Sequence, residues 1–410
     1  MRSTGPWIQL VGAALAVAAW TSAASGQSSA PPAGTAPPFV IQSDNGDNRI
    51  QLGTVVQVDG RFFPGGAPQS GVDTFLVRRL RGQVEGQVAR YFPFLLNVDF
   101  AGGVVNVRDA WFETRFSQAL HVRMGKFRAP FSYDRLTRAA NLLFVERGLT
   151  TTVAADREIG VQVLGDVLGG RLGYEGALTN GVIDGGSTDV DGNSGKDLTG
   201  RVLVRPWLTD SAHPLRGLGI AFAASTGTQP GPLPFFQLPG RQIYFTYAAD
   251  ALGEGHRTRW SPQGFYYRGP FGGYAEYVHS EGDVSRAGVR DAVTHEAWQA
   301  AASWVLTGEP AIEQRNVRPR ANFDPPSHHY GALQVAARYQ KLTVSANAVS
   351  LGFASPTASR HVNVLTLGLN WYLNPFVKWN LDYEHSVFAT PLVGSRPNEH
   401  AILLRAHFGF

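Results

Sequence analysis

Cysteine is absent from this 410-residue sequence, which excludes a disulfide framework and any thiolate metal site. Charge is scarce: Asp, Glu, Lys and Arg make up 17% of residues, against roughly 25% in an ordinary soluble domain. No run of 18 apolar residues occurs, so the chain is not a helical membrane protein. Basic clusters and nucleic-acid modules are missing as well, and that partner class is set aside. What the chain does have is glycine, 47 residues of it, together with 24 Phe, 13 Tyr and 9 Trp.

The first residues read as an export signal. Arg2 supplies the positive charge, Val11 to Trp20 an apolar stretch, and Ala24 and Gly26 a small-residue cleavage site before Gln27. About ten apolar residues at 1.5 Å each cannot cross a core of roughly 30 Å, so an anchoring helix is the poorer reading. Loss of residues 1–26 removes one basic residue and leaves 35 basic against 32 acidic, a net +3. Residues 27–38 (QSSAPPAGTAPP) have no capacity for a core, and the linker is expected to reach residue 48.

From residue 49 onward the pattern has period two. Ile50, Leu52, Thr54, Val56 and Val58 alternate with Gln51, Gln57 and Asp59; Leu80, Gly82, Val84 and Gly86 alternate with Arg79, Arg81, Gln83 and Glu85. The same holds at the C-terminus, where Ile402, Leu404, Ala406, Phe408 and Phe410 oppose Arg405 and His407. Successive side chains of a strand point to opposite faces, so each segment has one apolar and one polar face. A soluble barrel would hide the apolar face and show a charged one. Here the polar face is mild, and aromatics gather at segment ends (Tyr91-Phe92, Trp111-Phe112, Tyr266-Tyr267, Trp371-Tyr372), as in interfacial girdles. A sheet in lipid must close, because an open edge leaves unpaired backbone groups. The expected fold is therefore all-β: a transmembrane antiparallel β-barrel spanning residues 49–410, in the outer membrane of a Gram-negative bacterium.

The expected strands are 49–63, 75–89, 91–101, 104–116, 119–128, 158–168, 170–180, 198–207, 217–226, 257–268, 271–281, 294–306, 331–346, 361–373, 376–388 and 398–410. Sixteen is even, which puts both termini on the periplasmic side. Residues 129–157, 181–197 and 389–397 become external loops, 307–330 a long periplasmic connection, and 241–250 a weak candidate for a further strand.

The sequence resembles the phosphate-selective porin O and P family over nearly the whole mature chain. The residues that carry this are Arg78-Arg79 with Gly82, Gly125-Lys126-Phe127-Arg128-Ala129-Pro130-Phe131, Asn141 to Arg147, Glu158 to Gln162, Leu178 to Gly181, Gly269 to Gly272 with Ala275-Glu276-Tyr277, Trp298-Gln299 with Leu306 to Glu309, and Gly368 to Asn374. The resemblance implies a sixteen-stranded homotrimeric barrel, a third external loop folded into the lumen as a constriction, and arginines lining an anion path for phosphate or related small anions. It also implies the pair Arg78-Arg79, of which plain alternation sends only one inward unless a bulge intervenes.

The residues themselves are compatible with that. A pore selects anions with rings of Arg or Lys, and arginine suits oxyanions because its planar fork makes bidentate contacts. Candidate pore-lining residues are Arg78, Arg79, Arg81, Arg123, Lys126, Arg257 and Arg259; the loop 129–157 adds Arg135, Arg138 and Arg147. For each, anion contact competes with plain solvated lining, since Asp59, Glu85, Asp99 and Glu113 share the polar face. A general non-selective porin thus stays open beside an anion-selective one. Phe410, with Phe408, reads as the signal by which the last strand meets the barrel-assembly machinery.

Other sites are weaker. Counted from Asp189, the acidic stretch 184–197 has Ser194 and Gly200 where a calcium loop needs Gly and Glu. His328-His329 has no further ligand at regular spacing. A barrel enzyme would need a paired nucleophile and base, but His279-Ser280 and His385-Ser386 are neighbours on strands and point apart. A purely structural barrel is a third class. No enzyme, cofactor or metal is expected.

Overall fold

The computed structural model describes residues 39–65, 71–187 and 189–410; the expected signal peptide, and the linker up to residue 38, lie outside them. Sixteen antiparallel strands form the wall: β1 Arg49–Phe62, β2 Thr74–Val88, β3 Phe92–Asp99, β4 Asn106–Ser117, β5 Leu120–Arg128, β6 Arg157–Val167, β7 Leu172–Thr179 and β8 Asp197–Val204, then β9 Leu218–Thr228, β10 Leu252–Arg268, β11 Phe271–Arg286, β12 Val289–Val305, β13 Ala332–Val344, β14 His361–Tyr372, β15 Val377–Phe388 and β16 Glu399–Gly409. Each pairs with its neighbours in sequence, and β16 pairs with β1, Arg405 opposite Asp59, which closes the barrel. A short strand, Val40–Gln42, lies against the start of β1.

The apolar phase faces out. Leu367 and Leu381 are 48% and 43% exposed, whereas their neighbours Thr366 and Asp382 are fully covered. A soluble barrel would show the reverse, so this pattern by itself identifies a wall made for lipid. Aromatic pairs stand outward near strand ends, with Phe271 stacked on Trp304 at 5.8 Å.

Three local features depart from the plain alternation. The β1–β2 register runs Gln57 to Arg79 and then Val58 to Val77, which leaves Arg78 as the extra residue of a bulge. Strands β11 and β12 continue five residues beyond the expected 271–281 and 294–306, and meet in a hairpin at Ala287-Gly288, φ 49° and 83°. Left-handed values at both positions fit the twist of the strands they join. Residues 241–250 do not enter the wall; Ile243–Phe245 pairs with Phe236–Gln237 within the connection between β9 and β10.

The end of the barrel carrying both termini has tight turns, with one exception: residues 306–331 between β12 and β13. Ala311 and Val317 of that segment are buried in a small apolar cluster with Val305, Ala332 and Tyr372. At the opposite end the third connection, residues 129–156, contains two helical turns, α1 Tyr133–Leu136 and α2 Thr150–Val153. Ser132 caps α1 by accepting from Arg135 N at 3.3 Å.

Candidate functional site

A loop buried among other residues must find partners for its backbone polar groups, since water cannot supply them. Residues 129–156 find theirs on the polar phase of the wall. Glu276 of β11 accepts from Tyr133 N at 2.8 Å, Gln340 of β13 from Leu149 N at 2.8 Å, and Asp382 of β15 from Val145 N at 2.7 Å. Donors from the wall reach the loop carbonyls: Gln57 of β1 to Ala139 O at 3.1 Å, Asn370 of β14 to Leu143 O at 2.9 Å, and Lys378 of β15 to Leu142 O at 2.9 Å. The approach is close enough at Gly148 that a Cβ there would collide with the Gln299 side chain.

Glu146 of this loop is the hub of a charged cluster. Its carboxylate meets Arg61 at 3.3 Å, Arg79 at 3.2 Å, Arg405 at 3.3 Å, and the Nε of Arg78. The bulge makes this possible, because Arg78 and Arg79 thereby reach the same carboxylate. Burial alone would raise the Glu146 carboxyl, but Arg78, Arg79 and Arg405 overcome it and hold the group well below the usual range. Asp156 is treated likewise by Arg157 at 2.9 Å, Arg108 at 2.6 Å and Arg135 at 3.5 Å.

Between this loop and strands β2 to β6 lies a cavity of about 310 Å³, room for roughly ten waters at ~30 Å³ each. Nine arginines line it (78, 79, 81, 108, 128, 135, 147, 157 and 241) against three carboxylates, Asp99, Glu146 and Asp156. Nine against three leaves an excess of six positive charges. Burial, with Arg135 nearby, pushes the Arg147 guanidinium down to about 10, which still leaves it charged at neutral pH.

Of the residues expected to line the pore, Arg78, Arg79, Arg81, Arg135 and Arg147 meet at this cavity. The others stand elsewhere. Arg123 is clamped by Glu113 at 2.7 Å and lies over the Trp111 ring at 4.1 Å. Lys126 pairs with Asp189. Arg138 is exposed and reaches Glu85 at 3.3 Å. Arg257 and Arg259 bind the connection between β7 and β8: Arg259 meets Asp184 at 2.7 Å, Arg257 meets Asp197 at 3.2 Å, and both donate to Val182 O. Asp184 also meets His295 at 2.9 Å, so two carboxylates of the acidic stretch are taken by basic side chains. Phe408 faces outward and its ring contacts that of Phe410 at 5.8 Å, while Phe410 exchanges backbone hydrogen bonds with Thr54. His279 stacks on Trp260 while Ser280 is buried on the opposite face.

Sequence reasoning missed Arg108, Arg128 and Arg241 as cavity residues. Arg128 belongs to the Gly125-to-Phe131 motif and was the one with a signal to find. Arg108 and Arg241 sit near a strand start and in a loop, where alternation has no say.

The fold has clear relatives. The outer-membrane channel DcaP of Acinetobacter baumannii superposes with a TM-score of 0.59 at 12% identity, over 90% of this chain and 99% of that one. In-vitro folded OmpT, an outer-membrane protein of Vibrio cholerae, gives 0.57 at 11% identity over 90% and 99%. OmpF of Salmonella typhi, in complex with daunomycin, gives 0.54 at 11% identity over 90% and 100%. A search of curated protein sequences found no match. The family profile for phosphate-selective porin O and P matches residues 50–390, nearly the whole barrel. With a closed sixteen-stranded wall, an outward apolar phase and this match, the chain belongs to the phosphate-selective porin O and P family of outer-membrane porins.

Proposed function

We propose that this porin is an anion-selective diffusion channel whose third external loop, residues 129–156, folds into the lumen and narrows it. The observation that carries the reading is the excess of six positive charges on one cavity beside that loop. In a narrow passage such charge is poorly screened and raises the local concentration of anions. Guanidinium forks match the oxygens of phosphate, so phosphate or a related small oxyanion is the proposed solute. Arg78, Arg79, Arg81, Arg135 and Arg147 contact it, with Arg108, Arg128, Arg157 and Arg241 completing the wall. Arg257 and Arg259 anchor the β7–β8 connection, and Arg123, Lys126 and Arg138 act as general lining in their ion pairs.

The test is the reversal potential of the reconstituted channel in a salt gradient, with phosphate added as a blocker of chloride current. The double variant Arg79→Ala/Arg81→Ala should keep the barrel and lose much of the anion preference. An unchanged reversal potential would make this a general porin.

We further propose a homotrimer. OmpT of Vibrio cholerae is described in a trimer form, and this chain shares its fold at a TM-score of 0.54. Band size on gels with and without heating tests that. Residues 1–26 are proposed to be removed on export, so that the mature N-terminus is Gln27, and the strand ending at Phe410 to engage the barrel-assembly machinery.

A further inference from the structure

The long connection between β12 and β13 does not hang free. Glu313 meets Arg205, just past the end of β8, at 3.0 Å, while Asn316 accepts from Lys378 of β15 at 2.9 Å. Those anchors lie seven strands apart around a sixteen-stranded wall, so residues 313–316 cross the bore. On the way they touch the third external loop from the terminal end of the barrel. Gln314 Nε2 donates to Tyr133 O at 3.0 Å, Asn316 Nδ2 donates to Ala140 O at 3.1 Å, and Asn141 Nδ2 donates to Gln314 O at 2.9 Å. Gln314 holds a left-handed φ of 51°, a conformation that a side chain of this size adopts when its surroundings impose it. Ala311 and Val317 on either side are buried, so the crossing is packed in place.

We propose that residues 311–317 form a strut beneath the third external loop, and that Gln314 and Asn316 are positioning residues which fix the width of the constriction. The proposal rests on the reading of that loop as the constriction. The wall holds the loop at its sides through Glu276, Gln340 and Asp382. The strut holds the α1-to-Asn141 stretch, the part these wall contacts reach least. A loop fixed only at its sides is free to move along the bore. With a bridge below, it has one position, and the pore one width.

The absence of native cysteine allows a clean test. In the full-length channel carrying Ala140→Cys, a charged thiol reagent added from the terminal side should reduce the current. Gln314→Ala/Asn316→Ala should raise the open-channel conductance and speed labelling by about tenfold or more, the factor that 1.4 kcal/mol of lost hydrogen bonding corresponds to. Asn316→Asp keeps the acceptor for Lys378 but cannot donate to Ala140, and should behave as Asn316→Ala does. Heat-modification on gels should be unchanged, which separates positioning from a loss of the fold. Equal conductance and equal labelling rates in both backgrounds would overturn the strut while leaving the constriction intact. Labelling that proceeds without any effect on current would overturn the constriction and the strut together.

Discussion

Glu146 shows how much one side chain decides. It is a carboxylate held by Arg61, Arg78, Arg79 and Arg405, and it ties the third loop to the wall while lowering the positive charge of the cavity. Glu146→Gln keeps the shape and removes the charge. It should shift the reversal potential further toward anions and cost roughly 3 kcal/mol through four uncompensated guanidiniums, read as heat-modification at lower temperature. The pH dependence follows from the same groups. Glu146 and Asp156 are depressed below their unfolded values, so their stabilisation is complete above about pH 4.3. It is lost only as pH falls through their lower folded values. Single-channel conductance should therefore be flat from pH 8 to about 4.5 and change only in stronger acid; a step near pH 6 would contradict this assignment.

Strands carry the next level of specificity, because their period is two and one inserted residue inverts a face. In β2 the bulge at Arg78 lets two consecutive arginines reach Glu146 without disturbing either flank. Deleting Arg78 should leave the ladder continuous and the barrel assembled, with one cavity charge fewer. Inserting a residue after Leu80 should instead turn Arg79 or Arg81 toward lipid and abolish assembly. The same logic sets a contrast between faces. Leu367→Arg puts a charge on the outward face and should cost about 2–4 kcal/mol near the bilayer midplane, whereas Gln83→Arg adds a charge inside, where Gln83 already meets Glu85, and should be tolerated. Urea titration of the reconstituted barrel compares the two directly.

Across the whole molecule the net charge of the sequence is only +4, yet six excess positive charges stand on one cavity. Placement matters more than total. Screening then predicts a salt dependence: the Debye length falls from about 10 Å at 0.1 M to about 3 Å at 1 M, so anion preference should weaken across that range. A selectivity independent of ionic strength would point to size exclusion instead. The two ends of the barrel are also unequal partners in this arrangement. One sends the third loop against the wall, and the other sends the β12–β13 connection up to meet it.

The wall was legible because its cause is local. A strand in lipid must show an apolar face and a polar face, so alternation in residues 49–63 or 398–410 already states which side chains face out, and the even count follows from closure. The mild polar phase and scarce charge had the same origin. The contacts inside the barrel were not legible in that way. Whether Arg78 joins Arg79 depends on a bulge in the β1–β2 register, and Arg108, Arg128 and Arg241 reach the cavity from strand ends and loops, where no period constrains direction. Gln314 meets Tyr133 across 181 residues of chain, a pairing no neighbouring residue encodes. Local periodicity thus determined the barrel, and only closure of the ring, which brings distant residues to a common interior, decided where its charges meet.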